Sequence, residues 1–153
     1  MKKFLGLLFI AFLAIPLLPA DQASAAPAPE LTDVQIFGVT SDAAGYVWED
    51  INFNQQSAVN PMGGETGYLA VYVEGTMQQG TFRVFNNGNN ITSQTFKALD
   101  DEDVTDSGNN VIGTIKYIGF PLSAVSSGRF TISANNYYPP NNTLYENLYI
   151  EVE

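Results

Sequence analysis

The sequence contains no cysteine and no histidine. Without them, Ser-His-Asp and Cys-His nucleophile arrangements and ordinary zinc sites are excluded. Disulfide staples and a lipid-modified cysteine are excluded too. Basic residues are scarce, with six Lys and Arg against 16 Asp and Glu and a net charge of −10. A surface of that sign repels phosphate backbones and anionic lipid headgroups over a Debye length of roughly 8–10 Å. Neither nucleic acid nor a membrane surface is therefore an expected partner. Sustained helical periodicity is missing as well. Carboxylate chemistry, oxygen-ligated cations and non-catalytic binding remain.

What is present begins with an address. Lys2 and Lys3 precede the apolar run Phe4–Leu18, and Ala23-Ser24-Ala25 supplies the small residues at which signal peptidase cuts. The run is shorter than the roughly 20 residues that span a bilayer. Residues 1–25 are expected to be a signal peptide, 26–32 an extended lead-in around Ala26-Pro27-Ala28-Pro29, and 33–153 one secreted, extracellular domain. Loss of Lys2, Lys3 and Asp21 leaves 15 acids, one fewer than the full chain, against Arg83, Lys97, Lys116 and Arg129. A domain of this length buries roughly two-thirds of its unfolded surface and needs neither metal nor disulfide to fold.

From Leu31 onward, short runs rich in Val, Ile, Thr, Tyr and Phe alternate with Gly, Asn, Pro and Ser clusters. The pattern predicts an all-β fold, a single antiparallel β-sandwich of about seven or eight strands. Strands are expected over 33–40, 46–53, 67–74, 81–85, 91–99, 111–120, 129–135 and 143–152. Asn87-Gly88 between two apolar runs predicts a tight hairpin, because both residues tolerate positive φ. In the last strand Leu144, Leu148, Ile150 and Val152 share parity and should be buried. Tyr145 and Tyr149 then face outward, ~13 Å apart by strand rise. Tyr68 and Tyr72 should also face outward and extend the same tyrosine surface.

The segment from Phe120 to Ala134, reading FPLSAVSSGRFTISA, resembles the E–F corner of immunoglobulin-like and fibronectin-III-like domains. There an apolar strand end turns through a polar segment and a glycine into a strand led by an aromatic residue. Phe130 stands where that family has a tyrosine, so the bracing hydroxyl is missing, as are the inter-sheet cysteines. The signal, Ala-Pro lead-in and single β-domain also resemble small secreted proteins of unknown function in bacilli and their phages. The resemblance implies an immunoglobulin-like fold and transfers no catalytic residue. It does imply one modification, a Lys-to-Asn crosslink of the kind some Gram-positive surface domains carry, with Lys116 as the candidate lysine.

Two kinds of site are expected. Tyr137 and Tyr138 in a Pro- and Asn-rich loop, Tyr145 and Tyr149 on the last strand, and Trp48 among Glu49 and Asp50 could stack on a sugar or anchor an extracellular protein. Asp100, Asp101, Asp103 and Asp106 form an acidic segment, read as a loop between two strands. Hard cations such as Ca²⁺ take six to eight oxygens from such loops, whereas the bland alternative is a solvated, charged turn. The leading expectation is a non-enzymatic secreted module that binds a glycan or a protein through its tyrosines. The alternative is an extracellular structural protein with a Ca²⁺-stabilised acidic loop. A small hydrolase using two carboxylates about 5 to 9 Å apart ranks third.

Overall fold

The computed structural model describes residues 28–153, and the expected signal peptide lies outside them. The fold is all-β, two antiparallel sheets packed face to face. The first sheet contains β1 (Asp33–Ser41), β2 (Glu49–Asp50), β3 (Thr66–Glu74), β6 (Phe96–Lys97), β7 (Glu102–Thr105) and β8 (Val111–Pro121). Its order is β2-β1-β3-β8, and β6 and β7 both pair with the far edge of β8. The second sheet is β10-β9-β4-β5, from β4 (Arg83–Asn86), β5 (Asn89–Asn90), β9 (Gly128–Asn135) and β10 (Thr143–Ile150).

The core follows from alternation. Val34, Ile36, Val39, Leu69, Val71, Val73, Ile118 and Phe120 from the first sheet meet Val84, Phe130, Ile132, Ala134, Leu148 and Ile150 from the second. Phe120 and Phe130 lie 5.4 Å apart between centroids. The chain crosses between sheets at the expected corner, through a 3₁₀ turn over Leu122–Ala124. Leu31 also enters the core, and Thr76 donates from its amide to the Pro29 carbonyl at 2.9 Å. The end of the lead-in is thus fixed to the domain by one apolar anchor.

Three expectations for the strands need correction. The segment 46–53 forms only the two-residue β2, because a register shift between Ile36 and Gly38 ends its pairing with β1. Val47 and Phe53, which strand alternation would place on one face with Ile51, are exposed, while Ile51 is buried. The segment 91–99 breaks into a 3₁₀ turn over Thr92–Gln94 and the short β6. The hydroxyl of Thr92 accepts from the Val84 amide at 2.9 Å and stands in for a ladder bond. Finally, part of the acidic segment is itself a strand, since Glu102–Thr105 pairs with β8. The hairpin at Asn87-Gly88 forms as expected, with φ of +50° and +82°.

Candidate functional site

The outer face of the first sheet carries an aromatic platform. Residues directly opposite one another in adjacent strands share a face, so the registers define three outward rows. One row is Asp50, Gly38, Ala70 and Tyr117; the next is Thr40, Tyr68, Gly119 and Phe96; the third is Gln35, Tyr72, Ile115 and Glu102. In the first two rows the rings stand beside Gly38, Ala70 and Gly119, which leaves room for neighbouring rings to approach the backbone. A Cβ at Gly38 would meet the Trp48 ring at 3.2 Å, one at Gly113 would overlap Tyr72, and one at Gly119 would overlap Phe96. Glycine in a strand interior is costly unless something else approaches closely there. Here an aromatic ring does.

The rings also contact one another. Tyr46 and Tyr68 are 5.7 Å apart, Tyr68 and Phe96 are 6.4 Å apart and edge-on, and Trp48 and Tyr117 are 6.0 Å apart. Such edge and tilted pairs add about 0.5–1.5 kcal/mol each beyond burial. Part of every outer ring still faces solvent, with Trp48 37% and Phe96 48% exposed. Burial pushes the Tyr68, Tyr72 and Tyr117 phenols above their ordinary value, helped by the Tyr46 phenol at Tyr68, by Glu74 and Asp33 at Tyr72 and by Glu102 at Tyr117. All three are therefore neutral at physiological pH. Tyr117 donates to Glu102 Oε1 at 3.3 Å.

Beside Trp48 the platform drops into a cleft of about 450 Å³ between the turn after β1 and the segment Asn60–Gly63. Glu49 and Glu153 are its carboxylates. Glu49 accepts from the amides of Val59 and Asn60 at 2.6 and 2.8 Å and from Asn60 Nδ2 at 2.9 Å, which pins the wall opposite Trp48.

Of the residues expected to stack on a ligand, Trp48 belongs to this platform, together with Tyr68 and Tyr72, which face outward as expected. Tyr145 and Tyr149 do face outward, 66% and 49% exposed, but on the second sheet. The tyrosine surface expected to join them with Tyr68 and Tyr72 does not exist, because the two pairs occupy opposite outer faces. Tyr137 and Tyr138 stack edge-on at 5.2 Å in the β9–β10 loop. The Tyr138 hydroxyl donates to the Ala28 carbonyl at 2.8 Å, and the buried Asn136 accepts from the amides of Leu31 and Tyr138. Tyr138 thus clamps the lead-in, and Tyr137 remains exposed.

The acidic residues do not converge. Asp100 pairs with Lys97, and Asp101 with both Lys97 and Lys116. Asp103 lies on β7, and Asp106 accepts from the Gly108 and Asn110 amides and the Asn110 side chain. Those bonds hold the Asp106 carboxyl below its ordinary value. Among the described residues, no three acidic side chains are gathered to hold a metal. The reason is the hairpin: strand alternation splays neighbouring carboxylates, and the two lysines neutralise the remainder. Lys116, the candidate for a crosslink to asparagine, is paired with Asp101.

Phe96 was missed because it sits in a segment read as a regular strand, and Tyr117 because it faced the same reading. The usable signal was glycine inside the β1 and β8 runs at 38, 113 and 119, which marks close approach of another group.

A family model described as a domain of unknown function (DUF4879) matches residues 26–150. The chain belongs to that family. The match takes in every platform residue of this DUF4879 domain, from Gln35 to Gly119. A comparison with curated proteins gives no match.

Proposed function

We propose that this DUF4879 domain is a secreted, non-catalytic binding module that takes a neutral glycan on the aromatic platform and in the adjoining cleft. The observation that carries the reading is the set of rings laid against Gly38, Gly119 and Gly113. Rings held against a sheet at several inclinations offer faces and edges to a pyranose, at little entropy cost, since they are already immobilised. Neutral phenols and surrounding carboxylates suit the hydroxyls of the same sugar as donors and acceptors. The net charge of −10 favours an uncharged ligand there over a polyanion.

The absence of histidine and cysteine, and the three N–H groups that occupy Glu49, support binding without catalysis. Export is supported by the leader and by a family match that begins at residue 26, where the mature chain is expected to start. An immunoglobulin-like assignment belongs to the same reading, supported by the two antiparallel sheets and the crossover at Pro121–Gly128.

The test is binding of the domain from residue 26 to insoluble and soluble neutral polysaccharides, comparing the wild type with Trp48→Ala and Phe96→Ala. Each substitution should weaken binding at least about tenfold, the loss of roughly 1.4 kcal/mol or more typical of an aromatic anchor. Unchanged affinity in both folded variants would reject the platform as the site. Retention of proteins but of no glycan would reject the ligand class.

A further inference from the structure

We propose a second ligand site on the opposite face of the molecule, centred on Arg129, for the carboxylate of an acidic sugar unit. The sequence has two arginines, Arg83 and Arg129. The registers Arg83 to Ser133 to Tyr145 and Arg129 to Tyr149 place both on the outer face of the second sheet. Lys97 and Lys116, on β6 and β8 of the first sheet, are each held by aspartates. Neither arginine has a carboxylate within ion-pair distance among the described residues. Arg83 is only partly exposed, and its Nη1 donates to the carbonyls of Gly80 and Phe82 at 2.6 and 2.8 Å, which ties the guanidinium to its own turn. The Arg129 side chain makes no hydrogen bond among those residues and is exposed. It is the uncommitted cation of a strongly acidic domain.

Arg129 also lines a cleft. A shallow hollow of about 570 Å³ is bounded by Asn87, Gly88, Gly128, Arg129, Thr131 and Tyr149. Its wall is built. The Asn87 side chain folds over Gly128, donates to Ser126 Oγ at 3.1 Å and to the Ser127 carbonyl at 3.3 Å, and accepts from the Arg129 amide at 3.0 Å. Any Cβ at Gly128, where φ is +148°, would overlap the Asn87 amide. Across the strand pair, Tyr149 stands directly opposite Arg129 and half of it is exposed.

A guanidinium fork takes a carboxylate through two parallel hydrogen bonds, and a neighbouring phenol ring takes the face of a pyranose. A single carboxylate on an otherwise neutral oligosaccharide suits a lone exposed guanidinium, whereas a polyanion, phosphate or polyuronate, would run over the acidic surface and be repelled. The ligand class is therefore a uronic acid unit.

The test titrates the domain from residue 26 with a neutral oligosaccharide bearing a single uronate unit and with the same oligosaccharide as its methyl ester. Millimolar or tighter binding of the acid, lost in the ester and weakened by raising salt, is expected. Arg129→Ala should abolish it, and Arg129→Lys should weaken it about tenfold, since the charge stays and the fork goes. Trp48→Ala should leave it unchanged, which separates this site from the platform: either can fail alone. Equal binding of acid and ester, full binding by Arg129→Ala, or binding of glycerol-phosphate polymer without any uronate binding would overturn the proposal.

Discussion

Gly119 is the residue on which the platform depends most locally. It is buried although it faces outward, because the Phe96 ring covers it. Gly119→Val should push that ring off the sheet at a cost of about 1–3 kcal/mol, the usual range for overpacking. Glycan affinity should fall further than the thermal melt alone suggests, which calorimetry on the folded variant measures. Glu146 offers a different single-residue test. Its carboxylate accepts from the Ile36 amide at 2.7 Å across the seam between β10 and β1. Burial pushes its pKa up, the Ile36 hydrogen bond opposes that, and Asp33 pushes it up again. With the folded value above the unfolded one, the group's contribution is complete below about pH 4.3 and is lost as pH rises through the raised value. Glu146→Gln should therefore match the wild type near pH 4 and melt at a higher temperature at pH 7. A lower melting temperature at pH 7 would show that the charge stabilises the seam.

Among the elements, the longest strands were the most legible. β1, β3, β8, β9 and β10 were visible from alternation of β-branched and aromatic residues, and each observed boundary lies within two residues of expectation. The short elements were not, because tertiary contacts decide them. β2 stops where β1 shifts register, and β6 exists because Phe96 finds Gly119 across the ladder. β7 was hidden by its charges: an acidic run reads as a solvated turn, yet Val104 and the hairpin at Asp106–Asn110 fold it back onto β8. Its carboxylates then protect the sheet edge from pairing with another chain. Since the acids diverge on that strand, millimolar Ca²⁺ should leave the melting temperature unchanged. A ligand at 100 times its dissociation constant adds about 2.7 kcal/mol, so a stabilisation of that size would mean that the acids do gather around the ion.

For the whole molecule, the outward residues of the two sheets define two surfaces of different chemistry. One is aromatic and flanked by carboxylates; the other carries both arginines beside Tyr145 and Tyr149. Sequence periodicity revealed that Tyr145 and Tyr149, and Tyr68 and Tyr72, point outward. It could not reveal that Tyr68 and Tyr145 belong to different sheets, because sheet order is set by long-range pairing that no local pattern encodes. Six aromatic residues scattered from Tyr46 to Tyr117 became one surface only through that order.

The most direct measurement is a map of backbone amide chemical shifts during titration with a neutral oligosaccharide. Saturable shifts concentrated at Gly38, Ala70, Tyr117 and Gly119, beneath and between the rings, are the expected result. Shifts confined to the second sheet, or none at millimolar sugar, would contradict the platform as the binding surface.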